Sequence, residues 1–288
     1  MPEKTLGVIG GSGLYEMEGL RDAKEVHVET PFGKPSDALV TGWLGDVRMA
    51  FLPRHGRGHK LMPSELPFQA NIWAMKQLGM EYVLAISAVG SMREDIHPGD
   101  MVVVDQFFDR TLGSRPSTFF GQGCVAHVHF ADPVCPELWQ IVCDASTASG
   151  ARTHKGGTYV CMEGPAFSTR AESRIYRSFG VDVIGMTNLQ EAKLAREAEI
   201  SYCTLALATD YDCWHETEED VSVEAVIKVL LDNVEKARRI VREVARRIPA
   251  VRQSPVKDAL KNAILTRKDA IPPATRQKLD LLLGKYLK

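Results

Sequence analysis

Seven short runs along the chain are apolar at nearly every position: residues 6–9, 47–52, 82–87, 101–104, 158–162, 181–186 and 202–208. A strand with one wet face alternates apolar and polar side chains, whereas a run without alternation has both faces covered. The runs therefore predict strands of a sheet buried between layers. Helical signals lie between them. Ser64 is placed to cap a helix over 65–78 that stops at Gly79, and Pro136 opens one that runs to Ser149 before Gly150. Thr169 with Glu172 has capping-box spacing and leads to Phe179 and Gly180; Asn188 with Glu191 has the same spacing. The longest helix is expected over 223–248. There Val223, Val226, Leu230, Val234, Ala237, Val241, Val244 and Ile248 share one face, and Asp232, Lys236, Arg239, Glu243 and Arg246 face away. Strands alternating with helices predict an α/β fold: a central mixed, mostly parallel sheet flanked by helices. No linker, low-complexity tract or repeat divides the chain. The reading is one domain over 1–250 with a helical C-terminal extension over 251–288, packed on the domain or on a neighbouring subunit.

Charge removes some classes of function. Lys+Arg total 35 against Asp+Glu 37, a net charge of −2 over 288 residues. A near-neutral chain has no long-range field to gather nucleic acid or anionic lipid. The arginines of 223–248 are interleaved with Glu235 and Glu243 and read as a solvated helix face. No apolar run reaches the ~18 residues of a membrane span, and the first residues show no signal-peptide pattern. The six cysteines include no C-x-x-C pair, which suits reduced thiols in a cytoplasmic protein.

In an open α/β sheet ligands bind beyond the carboxyl ends of the strands. The first run ends in Gly10-Gly11-Ser12-Gly13, the second in Arg54-His55-Gly56 and the third in Ser87-Ala88-Val89-Gly90-Ser91. The sixth ends in Met186-Thr187 just before a helix start, and the seventh in Thr209-Asp210-Tyr211-Asp212. Four of these ends carry glycines, hydroxyls or a guanidinium, the donors of an anion site, and a helix N-terminus adds partial positive charge. The first loop is neither a P-loop nor a dinucleotide fingerprint: no Lys-Ser/Thr closes it, and Glu16 stands where a third glycine belongs. The set suits free phosphate. Asp210 and Asp212 follow a very apolar run, so burial is expected to raise the Asp210 pKa and keep it able to donate a proton. On extended chain their spacing would point both the same way. His127 and His129 lack a third ligand, and His55 with His59 lacks the glutamate of a zinc-protease motif, so no metal site is read.

These residues carry a resemblance. GVIGGSGL at 7–14, TPFGKPSDAL at 30–39, RHGRGH at 54–59, MPSELPFQANIWAMK at 62–76, EGPAFSTRAESR at 163–174, MTNLQEAKLAREAEI at 186–200 and ATDYDCW at 208–214 resemble the 5′-methylthioadenosine phosphorylases. These belong to the trimeric purine nucleoside phosphorylase superfamily, and the likeness runs from Gly7 to about Ile248. It implies the purine nucleoside phosphorylase-like fold over 1–250 and a pentosyltransferase. Inorganic phosphate, as co-substrate, attacks C1′ of 5′-methylthioadenosine to give adenine and 5-methylthioribose 1-phosphate, in purine and methionine salvage. No metal or organic cofactor is implied. Phosphate would be held by Ser12, Arg54, His55, Ser87, Ala88 and Thr187. Asp210 would act on the purine, with Met186, Phe167, Tyr211 and Asp212 around the nucleoside. His127 would reach a neighbouring subunit's site, in a homotrimer or a dimer of trimers. Ser168, Val223 and Val226 would set specificity, the valines as an apolar wall for the 5′-methylthio group. An acid at Asp210 favours 6-aminopurines, where 6-oxopurine relatives carry asparagine. A 6-oxopurine nucleoside or 5′-methylthioinosine phosphorylase is the alternative. The segment after Pro255 matches no family motif.

Overall fold

The computed structural model describes residues 2–16, 18–215 and 222–287; the side chains of Ser12, Tyr15, Ala225, Leu230 and Asp232 also lie outside the described residues. The first half of the chain gives β1 (Lys4–Gly10), β2 (Leu20–Val26), β3 (Leu39–Leu44), β4 (Val47–Pro53), α1 (Phe68–Gln77), β5 (Tyr82–Ser91), β6 (Met101–Val104) and β7 (Gln106–Arg110). The second gives α2 (Pro136–Ala148), β8 (Thr153–Lys155), β9 (Thr158–Met162), α3 (Arg170–Ser178), β10 (Val183–Gly185), α4 (Asn188–Glu197), β11 (Ser201–Asp210) and α5 (Val223–Arg247), then the short α6 (Pro273–Lys278) and α7 (Asp280–Leu283).

The strands form one mixed sheet in the order β2-β3-β4-β1-β5-β10-β9-β7, with β11 on the other edge of β5 and β6 and β8 beyond it. Its centre, β4-β1-β5-β11, contains the parallel pairs expected of unalternated apolar strands. On one face Leu6, Val8, Leu84 and Leu205 pack with Leu138 and Val142 of α2 and Ile240, Val241 and Val244 of α5. On the other, Ile9, Val83 and Ala85 meet Ile72 and Met75 of α1, Leu194 of α4, and Leu260, Leu279 and Leu283 of the C-terminal segment. Each fully buried aliphatic side chain contributes about 2 kcal/mol. Gly7 permits the close approach of α1: a Cβ there would lie 2.8 Å from the Met75 sulfur.

Six of the seven apolar runs are strands throughout, and the run 181–186 is a strand only over Val183–Gly185. The helix over 65–78 is shorter than its signals suggested. Pro67 disfavours helical geometry at the preceding residue, Leu66 is extended, and a single 3-10 turn over Pro63–Glu65 precedes α1. Ser64 does not cap it; its hydroxyl donates to Glu163. The Thr169–Glu172 capping box forms as expected. The Asn188–Glu191 box does not: Thr187 is the N-cap residue, and Glu191 is drawn into the interior by Arg54. Along α5 the predicted apolar face is buried from Ala237 onward, whereas Val223 is 57% exposed because the first turns project beyond the core.

Candidate active site

The site begins where the sheet changes partner. Along one edge of β5, β1 pairs with residues 82–85 and then ends. Antiparallel β10 takes that edge only at Gly90 and Ser91, while β11 runs along the whole opposite edge. Residues 86–89 therefore face no strand on the β1 side. This is a topological switch point, and it puts Ser87 and Ala88 at the mouth of a cleft. The chain leaving β1 enters a single 3-10 turn over Ser12–Tyr15. Gly10 is needed there, since a Cβ would lie 3.3 Å from the Ile86 carbonyl and against Leu14. The Arg54 amide donates to the Gly10 carbonyl at 2.9 Å, binding the ends of β1 and β4 together. Thr187, 4% exposed, opens α4 just beyond β10, whose end runs toward residues 86–89 from the opposite direction to β1.

Arg54 does not offer the open charged fork that the sequence suggested. It is 3% exposed, and its Nε and Nη2 donate to the two carboxylate oxygens of fully buried Glu191 at 2.5 and 3.1 Å. Nη1 donates to the Ile86 carbonyl at 2.9 Å and Nη2 also to that of Ile9 at 3.5 Å. One of its five N–H groups is left over among the described residues, and Glu191 balances its charge. Tyr202 Oη donates to the same carboxylate at 2.9 Å. His55 is neutral as well: burial, with Arg54 and His59 nearby, pushes its pKa down to about 4. Its Nδ1 lies 2.8 Å from the Leu61 carbonyl, so Nδ1 carries the hydrogen and Nε2 is an acceptor. What these elements could offer an anion is backbone N–H groups, hydroxyls and the N-terminus of α4 rather than net side-chain charge.

Across the cleft, β11 ends at Asp210, opposite Gly90. Burial lifts the Asp210 pKa above the ordinary carboxylate range and the neighbouring Asp212 adds to the rise. Hydrogen bonds from Thr209 Oγ1 at 2.7 Å and the Asp212 amide at 2.8 Å oppose it. Asp212 is not on extended chain: its φ is +53°, so the two acids do not point the same way as their spacing had suggested. It caps Asp210 through its amide, and its own carboxyl, also raised by burial, turns toward Ser173 and Ser168. The Tyr211 ring stacks on His215 with centroids 4.6 Å apart and meets Trp214 edge-on.

A second ion pair, partly buried, ties the 163–168 loop to Met186. The Arg115 side chain, wholly buried, pairs with Glu163 at 3.1 Å and donates to the Met186 and Glu163 carbonyls. Met186 packs against Gly164, where any Cβ would strike its sulfur. Phe167 follows on the same loop, 43% exposed, and the Ser168 carbonyl accepts from Cys213 Sγ at 3.3 Å. Arg115 escaped the sequence reading; Glu163 and Glu191 lay within the motifs at 163–174 and 186–200, but neither was read as a site residue, and Glu191 was taken for a helix-cap partner. His127 is exposed on a separate loop, its amide donating to the Ala263 carbonyl at 2.9 Å. Val223 and Val226 stand on the projecting turns of α5, whose Arg238 donates to the Gly13 carbonyl at 2.6 Å. Among the described residues, no group of three or more His, Cys, Asp or Glu side chains could hold a metal ion, and no helix is long and apolar enough to cross a membrane.

Strand ends rich in hydrogen-bond donors, beside two acids whose pKa values burial raises, define a class. The chain belongs to the phosphorylase superfamily, whose family model matches residues 5–246. It is 60% identical over 285 residues to the S-methyl-5′-thioadenosine phosphorylase of Geobacter sulfurreducens, with 99% of this chain and 100% of that one covered. Among solved structures it is similar to a methylthioadenosine phosphorylase from an antarctic soil metagenomic library, with a TM-score of 0.93, 47% identity, and 98% and 100% of the two chains covered. The methylthioadenosine phosphorylase of Schistosoma mansoni in complex with adenine gives a TM-score of 0.84 and 40% identity over 89% of this chain and 96% of that one.

Proposed function

We propose that the chain catalyses phosphorolysis of 5′-methylthioadenosine to adenine and 5-methylthioribose 1-phosphate. The observation that carries this reading is the cleft at residues 86–89, with neutral anion donors on one side and Asp210 on the other. The relatives' names supply the substrate. Phosphate sits against Ser12, Arg54, His55, Ser87, Ala88 and Thr187. Breaking the N-glycosidic bond develops positive charge on the ribose and negative charge on the purine. Phosphate beneath C1′ answers the first, and fixed dipoles hold it without rearrangement during the reaction. Asp210, with its raised pKa, donates to purine N7 and answers the second. Asp212 holds Asp210 in place, Met186 packs on the sugar, and Phe167 and Tyr211 help enclose the nucleoside. An acid at Asp210 suits a 6-aminopurine, which sets the 6-oxopurine alternative behind this reading.

Ser168, Val223 and Val226 set specificity, the valines lining the 5′ end, where His127 of a neighbouring chain completes the pocket in a homotrimer or dimer of trimers. The domain of 1–250 carries the chemistry, and 251–288 is an accessory segment. The reaction needs no metal or organic cofactor, since phosphate is both nucleophile and charge partner. Six free, buried thiols support a cytoplasmic setting. Phosphorus NMR tests the reaction: 5′-methylthioadenosine with phosphate is expected to yield a sugar 1-phosphate ester alongside adenine. Adenine with free methylthioribose and unchanged phosphate would identify a hydrolase instead.

A further inference from the structure

The turn that follows Asp210 is held by one face of α3. Arg170, Ser173 and Arg177 stand three and four residues apart along the helix, so they lie on one side of it. Arg170 Nη1 donates to the Cys213 carbonyl at 3.0 Å. The Ser173 hydroxyl, fully buried, faces the Asp212 carboxyl. The Arg177 guanidinium lies over the Trp214 ring, its Cζ 3.4 Å from the centroid, and its Nε donates to the Met92 carbonyl at 3.0 Å. Residues 212, 213 and 214 are thus each met by one side chain of the helix. Ile175 of α3 is left 50% exposed, so this inward face is not simply the apolar face of the helix. From the β5 side, the Ser91 carbonyl accepts from Trp214 Nε1 at 2.7 Å. Gly90 leaves room for both acids: a Cβ there would lie 3.0 Å from Asp210 Oδ1 and 3.4 Å from Asp212 Cβ.

We propose that α3 is a clamp whose Arg170, Ser173 and Arg177 position the 212–214 turn, and through it the carboxyl of Asp210. Three features lead there. Asp212 holds a left-handed φ of +53°, a conformation that a residue other than glycine keeps only where its surroundings impose it; α3 on one side and the end of β5 on the other supply that constraint. The Asp212 amide donates to Asp210 Oδ1 at 2.8 Å, so a shift of the turn moves the one main-chain bond that orients the Asp210 carboxyl. The Arg177–Trp214 stack lies two residues beyond Asp212 and ties the turn to the helix by a cation over an aromatic face. An acid held in this way by a rigid element is kept in a productive geometry throughout the reaction. Arg170, Ser173 and Arg177 are positioning residues that act through Asp212, and the inference rests on Asp210 as proton donor under the proposed function. The clamp touches none of the residues assigned to phosphate, so loosening it should slow glycosidic cleavage and leave phosphate binding alone.

The test measures, in the full chain, the single-turnover rate of adenine release from 5′-methylthioadenosine at saturating phosphate, and KM for phosphate. Arg177→Ala is expected to lower the single-turnover rate about tenfold, because a small misplacement of a reacting group is costly, and to leave KM for phosphate unchanged. Arg177→Lys, which keeps a cation over the Trp214 ring, should restore most of the rate. Ser173→Ala removes the hydroxyl facing Asp212 and should slow the reaction in the same way; it carries the test if Arg177→Ala does not fold. In an Asp210→Asn background, already slow, either substitution should add less than about twofold. An unchanged rate in both Arg177→Ala and Ser173→Ala, beside a slow Asp210→Asn, would overturn the clamp. So would an undiminished loss in the Asp210→Asn background, which would mark a general structural role. An Asp210→Asn variant as fast as the parent would instead remove Asp210 as proton donor, and the clamp with it.

Discussion

Replacing Glu191 with glutamine removes one buried charge and almost no volume. In the parent the carboxylate is fully buried, its oxygens 2.5 and 3.1 Å from the Arg54 guanidinium, with Tyr202 Oη donating at 2.9 Å. The amide would turn an NH₂ toward one of these donors and leave Arg54, 3% exposed, as a buried cation held by neutral acceptors alone, the amide oxygen and the Ile9 and Ile86 carbonyls. Breaking a buried pair from one side typically costs about 3–5 kcal/mol, because the surviving charge is left uncompensated. Urea unfolding followed by tryptophan fluorescence should show a loss of that size, at one fixed protein concentration because an oligomer's stability depends on it. Phosphate adds a second readout. A dianion in the cleft would supply the missing negative charge, so phosphate should raise the urea midpoint of Glu191→Gln more than that of the parent. A cost below about 1 kcal/mol, the range of an exposed pair, would refute the reasoning. Equal stabilisation of parent and variant by phosphate would separate Arg54 from the phosphate site.

Asp210→Asn is expected to lower kcat for 5′-methylthioadenosine by about 10²-fold and to raise relative use of the inosine analogue in a paired assay. Because the Asp210 pKa is raised and the protonated form is the donor, the parent's kcat should fall as pH rises through that pKa. The variant's pH–rate profile should lack this limb. Val223→His, on an exposed first turn of α5, should improve kcat/KM for adenosine relative to its methylthio analogue; an unchanged ratio would remove Val223 from the 5′ pocket. Glu197, 7% exposed, accepts from the Phe119 amide and Thr118 Oγ1, both at 2.7 Å, yet burial lifts its pKa from 4.5 to about 7. The unfolded chain ionises this group first, so stability should fall between pH 4.5 and 7, by about 3 kcal/mol at 1.36 kcal/mol per unit. Glu197→Gln should flatten that dependence in urea titrations at pH 5 and pH 8.

The sheet's interior was legible because burial on both faces writes itself into each strand locally: residues 82–87 and 202–208 need no partner to be recognised. The strands missed are those whose pairing is decided elsewhere. β2 presents mostly exposed polar residues on an edge, β3 breaks its apolar run with Thr41 and Gly42, β7 mixes Gln106, Asp109 and Arg110 with two phenylalanines, and β8 is three residues long. Strand-end reasoning gathered Ser87, Thr187 and Asp210, but not by polarity alone: β10 runs antiparallel to β5, so its end and that of β1 approach residues 86–89 from opposite directions. It misjudged Arg54 because the partner that neutralises it is 137 positions away, and Glu191's spacing to Asn188 imitated a helix cap. Asp212 was read as extended because nothing local distinguishes the last residue of a strand from a left-handed turn. The docking of the C-terminal segment was invisible for a related reason: two of its four bonds to 122–127 run between main-chain groups, which leave no trace in side-chain identity.

The most direct measurement is the initial rate of adenine release from 5′-methylthioadenosine as phosphate is raised from zero at constant ionic strength. The account predicts negligible release without phosphate and a saturable rise with it, each adenine matched by one molecule of 5-methylthioribose 1-phosphate. Release at full rate without phosphate would contradict it, because the cleft at residues 86–89 would then be delivering water rather than phosphate to C1′.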